Sequence, residues 1–372
     1  MGPSPTACGR PLKGARPRAR PSRIPGRRWV CRLALLAAVG LSGCAQVGYL
    51  GQAASGHLRL VGAAQAVETL VQDPALDEGL RERLLLSQRM REFASRELGL
   101  PDNASYRRYA DLQRGAAVWN VVATPELSLQ LKTWCYPVMG CAGYRGFFDR
   151  TEAEAFAAAL RRDEGLEVLV YGVPAYSTLG WSWLFGGDPL LNTFIRYPEG
   201  ELARMIFHEL AHQVAYAADD TEFNESFATA VERLGVEAWL AAHGDAAARE
   251  QYRRGNERRE RFRALALGYR ARLQALYEGP QDEPAKRAAK AALFAQLRAE
   301  PDLRQGYEGW LANANNASLA IQAAYHRLTP EFEALFERQG RDWPAFYAEV
   351  RRLADLPKAE RRQQLSKQRS TP

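Results

Sequence analysis

Two histidines four residues apart flank a glutamate in Phe207-His208-Glu209-Leu210-Ala211-His212. On an α-helix, residues i and i+4 project from one face, so both imidazoles can reach a single ion at about 2.0–2.1 Å. Glu209 is turned roughly 100° around the helix from His208. It can therefore reach a metal-activated water without occupying the metal, which is the general-base position of the H-E-x-x-H arrangement. A lone histidine in an apolar stretch is ordinarily a core residue. The spaced pair with a glutamate in register points to a hydrolytic metal site, and Zn²⁺ suits such ligands.

A catalytic zinc needs a third protein ligand and one open position. His57, His243 and His326 lie in unrelated contexts. The stretch Asp219-Asp220-Thr221-Glu222-Phe223-Asn224-Glu225-Ser226-Phe227-Ala228 offers better. A turn at Asp219-Asp220 lets a second helix fold back on the first, with Phe223, Phe227 and Ala230 inward. Glu225 sits one turn into that helix, and Asn224-Glu225-x-x-Ala228 resembles the second motif of gluzincin peptidases, in which the glutamate is the third ligand. Glu222 is the second choice. Glu232, two turns on, reads either as part of a solvated or salt-bridged helix face, as does Glu222, or as a partner that holds a zinc-bound histidine from behind. In this scheme the metal acidifies a water and polarises a carbonyl while Glu209 moves the proton. The oxyanion needs a further donor, for which the chain offers Tyr144, Arg145, Tyr176 and Tyr325.

The elements around these residues follow from periodicity. Pro198 precedes the first motif helix, Glu199 and Glu201 favour its positive N-terminus, and Leu202, Met205, Ile206, Leu210 and Val214 form its apolar stripe. Upstream, Gln52 to Val71 and Ala75 to Leu98 read as helices parted by Asp73-Pro74. The arginines between Glu78 and Glu92 read as solvated helix faces. Ala116 to Ala123, Glu167 to Val173 and Leu191 to Tyr197 read as strands. The last lies just before the motif helix and is a candidate edge for an extended peptide. Thr151 to Arg162 reads as a helix with Thr151 as N-cap and Glu154 at the capping-box position. From Glu199 onward the pattern is almost wholly helical. The expected fold class is α+β, mainly helical: a small sheet between helical N- and C-terminal regions. Residues 44–356 form the functional domain, and 357–372 read as a frayed polar tail. Asn313 to Asn316 is either a helix cap or a polar contact in the site.

The net charge of +7 belongs to the start of the chain. Residues 1–43 carry nine basic and no acidic residues, which leaves 41 basic against 43 acidic in the remainder. A folded body of that balance gives no reason to expect a nucleic-acid partner. A basic Arg27-Arg28 flank, a short apolar run from Leu33 to Leu41 and small residues before a cleavage point describe a secretory leader. The run is too short to span a bilayer. Leu41-Ser42-Gly43-Cys44 resembles the lipobox of bacterial lipoproteins, in which the cysteine is lipidated. That resemblance implies a lipid anchor on Cys44 and a periplasm-facing place in the cell envelope, with Ala45 leaning towards the outer membrane. Only Cys135 and Cys141 then remain, a local pair suited to a disulfide in an oxidising compartment.

The chain as a whole resembles a family of bacterial zinc-dependent lipoproteins regarded as aminopeptidases. The resemblance is carried by Val118-Trp-Asn-Val-Val, Lys132-Thr-Trp-Cys-Tyr-Pro-Val, Gly140-Cys with Tyr144-Arg-Gly-Phe-Phe, Ala175-Tyr-Ser-Thr-Leu-Gly-Trp, Ile206-Phe-His-Glu-Leu-Ala-His-Gln and Phe223-Asn-Glu-Ser-Phe-Ala-Thr. It implies a zincin-like, gluzincin-like peptidase acting on peptides from the N-terminus. Exopeptidase action requires an acidic group for the substrate amine, and Glu126 is a candidate. Trp181 and Trp183 line either a cleft or a core. The alternatives are an endopeptidase or amidase near the cell wall, and a non-catalytic envelope lipoprotein that binds peptides or partners.

Overall fold

Helix α1 (Glu78–Arg96) begins where the Asp77 carboxylate accepts the N–H of Leu80 and ends in a turn with Gly99 at φ 63°. The computed structural model describes residues 49, 51, 52, 55–136, 140–175, 187–322 and 328–367, and from Gln52 onward they belong to one unit. The arginines of α1 are not all solvated. Arg91 is 1% exposed, and its guanidinium donates to the carbonyls of Pro101, Asn103 and Ser105 at 2.7, 3.2 and 3.0 Å. Arg83 donates to the Ile195 carbonyl at 3.0 Å. These side chains satisfy loop carbonyls that would otherwise lack donors, so they act as staples for the connections that cross α1.

Among the described residues, three small sheets replace the single one expected. Strands β1 (Gln65–Ala66), β2 (Arg108–Ala110) and β8 (Leu190–Leu191) form the first, antiparallel between β1 and β2 and parallel between β2 and β8. Strand β3 (Val118–Thr124) is central in the second, antiparallel to both β6 (Arg145–Phe147) and β7 (Glu167–Val173). Strands β4 (Trp134–Tyr136) and β5 (Gly140–Ala142) pair as the third, with Cys135 opposite Cys141 and joined to it as a disulfide. Glu167 to Val173 and the Val118 segment are strands as read. Leu191 to Tyr197 is not. After Leu191 the chain turns, with the N–H groups of Phe194 and Ile195 both donating to the Leu191 carbonyl. Phe194 and Ile195 are consecutive and both 1% exposed, which a half-buried strand does not allow. Of that segment only Leu191 belongs to a strand, the two-residue β8.

Helix α2 (Arg150–Glu164) is capped by Asp149 rather than Thr151, because the Asp149 carboxylate accepts the N–H groups of both Thr151 and Glu152. Helices α3 (Glu199–Ala211) and α4 (Thr221–Ala242) form the centre of the main core, followed by α5 (Ala246–Glu278), α6 (Glu283–Ala299), α7 (Asn316–Gln322), α8 (Thr329–Arg338), α9 (Trp343–Ala354) and α10 (Lys358–Lys367). Phe207, Phe223 and Phe227 are fully buried in that core, each contributing up to about 1.5–3 kcal/mol. A side chain at Gly235 would stand 2.8 Å from Leu98 and 3.0 Å from Phe207, so the glycine lets α4 approach the α3 face behind the motif. A smaller core beneath α5 and α6 gathers Phe262, Leu273, Phe294 and Leu297. The Asn313–Asn316 cluster is structural. Asn315 and Ser318 cap each other reciprocally, and the Asn316 amide donates to the carbonyls of Glu126 and Ser128 at 2.7 and 3.1 Å.

The polar tail expected after Leu356 is helical as far as Lys367 and docks on the start of α4. Leu365 is fully buried and Arg361 is 2% exposed. Arg361 donates to Asp219 at 3.0 Å and Asp220 at 3.1 Å, and Arg362 donates to Asp220 at 2.8 Å. Desolvation opposes the charge on Asp220, but Arg362 prevails and holds its carboxyl below the usual range. A polar sequence folds here because its charges meet a buried carboxylate, Asp220. Replacing Arg361 and Arg362 together with alanine leaves that buried carboxylate with only Lys358, 4.0 Å away, and should cost about 3–5 kcal/mol. Urea denaturation checks this, and a loss below about 1 kcal/mol, the scale of an exposed pair, would show the clamp to be dispensable.

Candidate metal centre

Helices α3 and α4 run antiparallel, as their contacts show step by step. Trp239 Nε1 donates to Glu199 at 2.8 Å, Arg204 Nε donates to Glu232 at 3.0 Å, and His208 Nδ1 lies 2.8 Å from the other Glu232 oxygen. At the turn end the Nε2 atoms of His208 and His212 face each other at 3.2 Å. The Glu225 carboxylate lies 3.5 Å from His208 Nε2 and 3.8 Å from His212 Nε2. His208, His212 and Glu225 each offer one ligand atom, all within 4.8 Å of one another. Among the described residues, no other such group of His, Cys, Asp and Glu is gathered in this way.

The donor chemistry fits a metal. Glu232 accepts from His208 Nδ1–H, which leaves the Nε2 lone pair aimed at the cluster. Two imidazole nitrogens and a carboxylate oxygen converge, and Glu225 remains 23% exposed, so a fourth position can face solvent. Burial opposes charge on His208, but its hydrogen bonds to Glu225 and Glu232 outweigh this and raise its pKa well above the ordinary value. His212 has no such partner on Nδ1 among the described residues, and burial pushes its pKa down to about 4.

The turn that folds α4 back is built by Asp220 and Asn224. Asp220 caps α4 by accepting the N–H of Phe223. The Asn224 amide grips Ala217 twice: its nitrogen donates to the Ala217 carbonyl at 2.9 Å, and its oxygen accepts the Ala217 N–H at 2.8 Å. Asn224 thus fixes the loop length that brings the neighbouring Glu225 opposite His212.

Of the residues read from the sequence, His208, His212 and Glu225 come together, and Glu232 stands behind His208. Glu209 is half-buried on α3 beside them. Glu222 turns instead to Arg362, 2.7 Å away. Glu126 pairs with Arg287 at 2.9 Å, in a depression that contains none of the cluster residues. Arg145 holds its guanidinium 4.7 Å from the Phe156 ring centroid, between β6 and α2, and Tyr144 before it is exposed. Tyr176, Trp181, Trp183, Tyr325 and Cys44 lie outside the described residues. Two tyrosines escaped the sequence reading. Tyr216, in the connection between the motif helices, is 46% exposed, and burial and then the Glu225 charge push its hydroxyl up. Tyr106 is buried with φ 64°, and its hydroxyl is pushed well up by burial and then by Glu209 and Asp188. Tyr216 could have been found from its place between the two motifs; Tyr106 carries no local signal.

A family model described as "Putative aminopeptidase" matches residues 48–365, and the chain belongs to that family. The role this supports is that of a peptidase. No curated protein and no solved structure gives a significant match.

Replacing Asn224 with alanine strands the Ala217 N–H, while the Ala217 carbonyl keeps the Asp220 N–H at 3.2 Å, and should lower stability by about 1–3 kcal/mol. Chemical denaturation of the variant measures it; a change below about 0.5 kcal/mol would mean that the turn holds without the amide.

Proposed function

We propose that the chain is a zinc-dependent peptidase, acting from peptide N-termini and tethered to the bacterial envelope through Cys44. The reading rests above all on the convergence of His208 Nε2, His212 Nε2 and the Glu225 carboxylate, with Glu209 beside them. These three ligands would hold the ion. When bound, zinc supplies Lewis acidity to the scissile carbonyl and makes a water acidic near neutral pH. Glu209 takes the proton of the attacking water and delivers it to the leaving amine. Glu232 keeps His208 in one tautomer throughout, with Nε2 free to bind. Tyr216, exposed and in the field of Glu225, stays protonated through neutral pH and supplies a donor for the developing oxyanion. The aminopeptidase direction comes from the family. The tether rests on the basic flank, the short apolar run and the Leu41-Ser42-Gly43-Cys44 sequence, and no described helix is long and apolar enough to cross a membrane.

The test compares metal content and peptide hydrolysis in wild type, Glu225→Ala and Glu209→Gln. Wild type should take up close to one zinc, and Glu225→Ala should lose most of it. Glu209→Gln should keep the zinc and lose about 10²–10⁴-fold in rate. Equal rates for Glu209→Gln and wild type would remove the general-base role. Absence of zinc uptake by wild type would sink the centre, and metal without hydrolysis would favour a binding protein. Acetylating the substrate amine should abolish cleavage if the enzyme works from the N-terminus.

Metal uptake should also be linked to protons. In the metal-free chain the hydrogen bonds to Glu225 and Glu232 favour charged His208, whereas burial favours neutral His212. Metal binding should therefore release protons, and affinity should rise with pH as His208 titrates. Calorimetry in buffers of different ionisation enthalpy reads the number directly; zero release would contradict the His208 assignment.

A further inference from the structure

A cavity of about 220 Å³ lies beside the candidate metal centre and includes none of its three ligands. Glu232 is the shared wall: one carboxylate oxygen bonds His208 and the other Arg204. The remaining lining includes Arg233 from α4, Arg259 and Arg263 from α5, and Tyr307. Four arginines therefore surround one small space.

Hydrogen-bond accounting leaves donors unused. Arg263 Nη1 donates to Glu260 at 3.0 and 3.1 Å, but its Nε and Nη2 have no acceptor among the described residues. Arg259 donates from Nη1 to Glu201 at 2.6 Å and from Nη2 to Asn256 at 2.7 Å, and its Nε has no acceptor among them. The Tyr307 hydroxyl also lacks a hydrogen-bond partner among the described residues. Its ring is fixed by stacking on Phe262, with centroids 4.1 Å apart and planes at 12°. Burial raises the Tyr307 pKa, while the neighbouring guanidinium groups of Arg259, Arg258, Arg204 and Arg263 pull it down. Nearby carboxylates are already committed, Glu201 to Arg259 and Arg204 and Glu260 to Arg233 and Arg263.

Guanidinium forks with free N–H groups and a fixed hydroxyl match the several acceptor oxygens of a planar or tetrahedral oxyanion. We propose that this cavity binds a small oxyanion of the phosphate or carboxylate kind, held by Arg263, Arg259 and Tyr307. This site stands apart from the peptidase reading, since it uses no metal ligand and needs no hydrolysis.

The experiment is calorimetric titration of the full chain with inorganic phosphate and, separately, with succinate. Saturable binding of at least one is expected. Arg263→Gln should weaken it roughly tenfold or more and Tyr307→Phe several-fold, with cooperative melting retained in both. Glu225→Ala should leave the affinity unchanged, which separates the cavity from the metal centre. Preference for phosphate assigns a phosphate-type ligand, and preference for succinate a carboxylate on a small molecule or peptide. Absence of saturable binding of either anion overturns the proposal, as does unaltered affinity in both cavity variants.

Discussion

A carboxylate withdrawn from water costs several kcal/mol unless both of its oxygens find donors, and Glu232 is only 5% exposed. It meets that demand with two residues of α3 one turn apart, Arg204 and His208. A shift of either helix by one residue would break both bonds at once, so this single side chain fixes the register of the α3–α4 pair. Register in turn decides what stands opposite the histidines. Glu225, two turns before Glu232 on α4, falls opposite His208 and His212 because Glu232 is where it is. Gly235 admits the Phe207 ring on the other side of the same seam. Packing and electrostatics thus specify one alignment of the two helices.

The motif residues were legible because their geometry is local. Two histidines at helical spacing need nothing but a helix, and Glu225 and Glu232 share a face of the next one. What the sequence could not show came through tertiary contact. Arg204 carries no local signal of its role, which comes from Glu232 on the neighbouring helix. Arg91 sat in a stretch that read as solvated, but the carbonyls of the 101–105 loop cross α1 at that point and need a donor. Tyr106 reaches Glu209 from more than a hundred residues upstream.

Errors in the elements have equally physical causes. Leu191 to Tyr197 is rich in β-branched and aromatic residues, which suggests a strand, but Phe194 and Ile195 are buried together and the backbone turns to allow it. Asp149 and Thr151 both qualify as caps, and the carboxylate wins by accepting two N–H groups. Beside the sheet centred on β3, strands β4 and β5 pair with each other, tied by Cys135 and Cys141, and β1, β2 and β8 form a further sheet. The polar C-terminal segment misled most, since its charges read as solvent-facing when two of them are the partners of a buried aspartate.

That clamp has a consequence for how the protein comes into being. The α4 start is locked by arginines 141 and 142 positions further along the chain than Asp220. Synthesis proceeds from the N-terminus at about 5–20 residues per second, so roughly 7–28 s separate the making of Asp220 from that of its partners. Throughout that interval the α4 cap carries an unpaired carboxylate, and the helix bearing Glu225 lacks its anchor. The nascent chain therefore carries both histidines and Glu225 well before the residues that clamp the start of their second helix have been made.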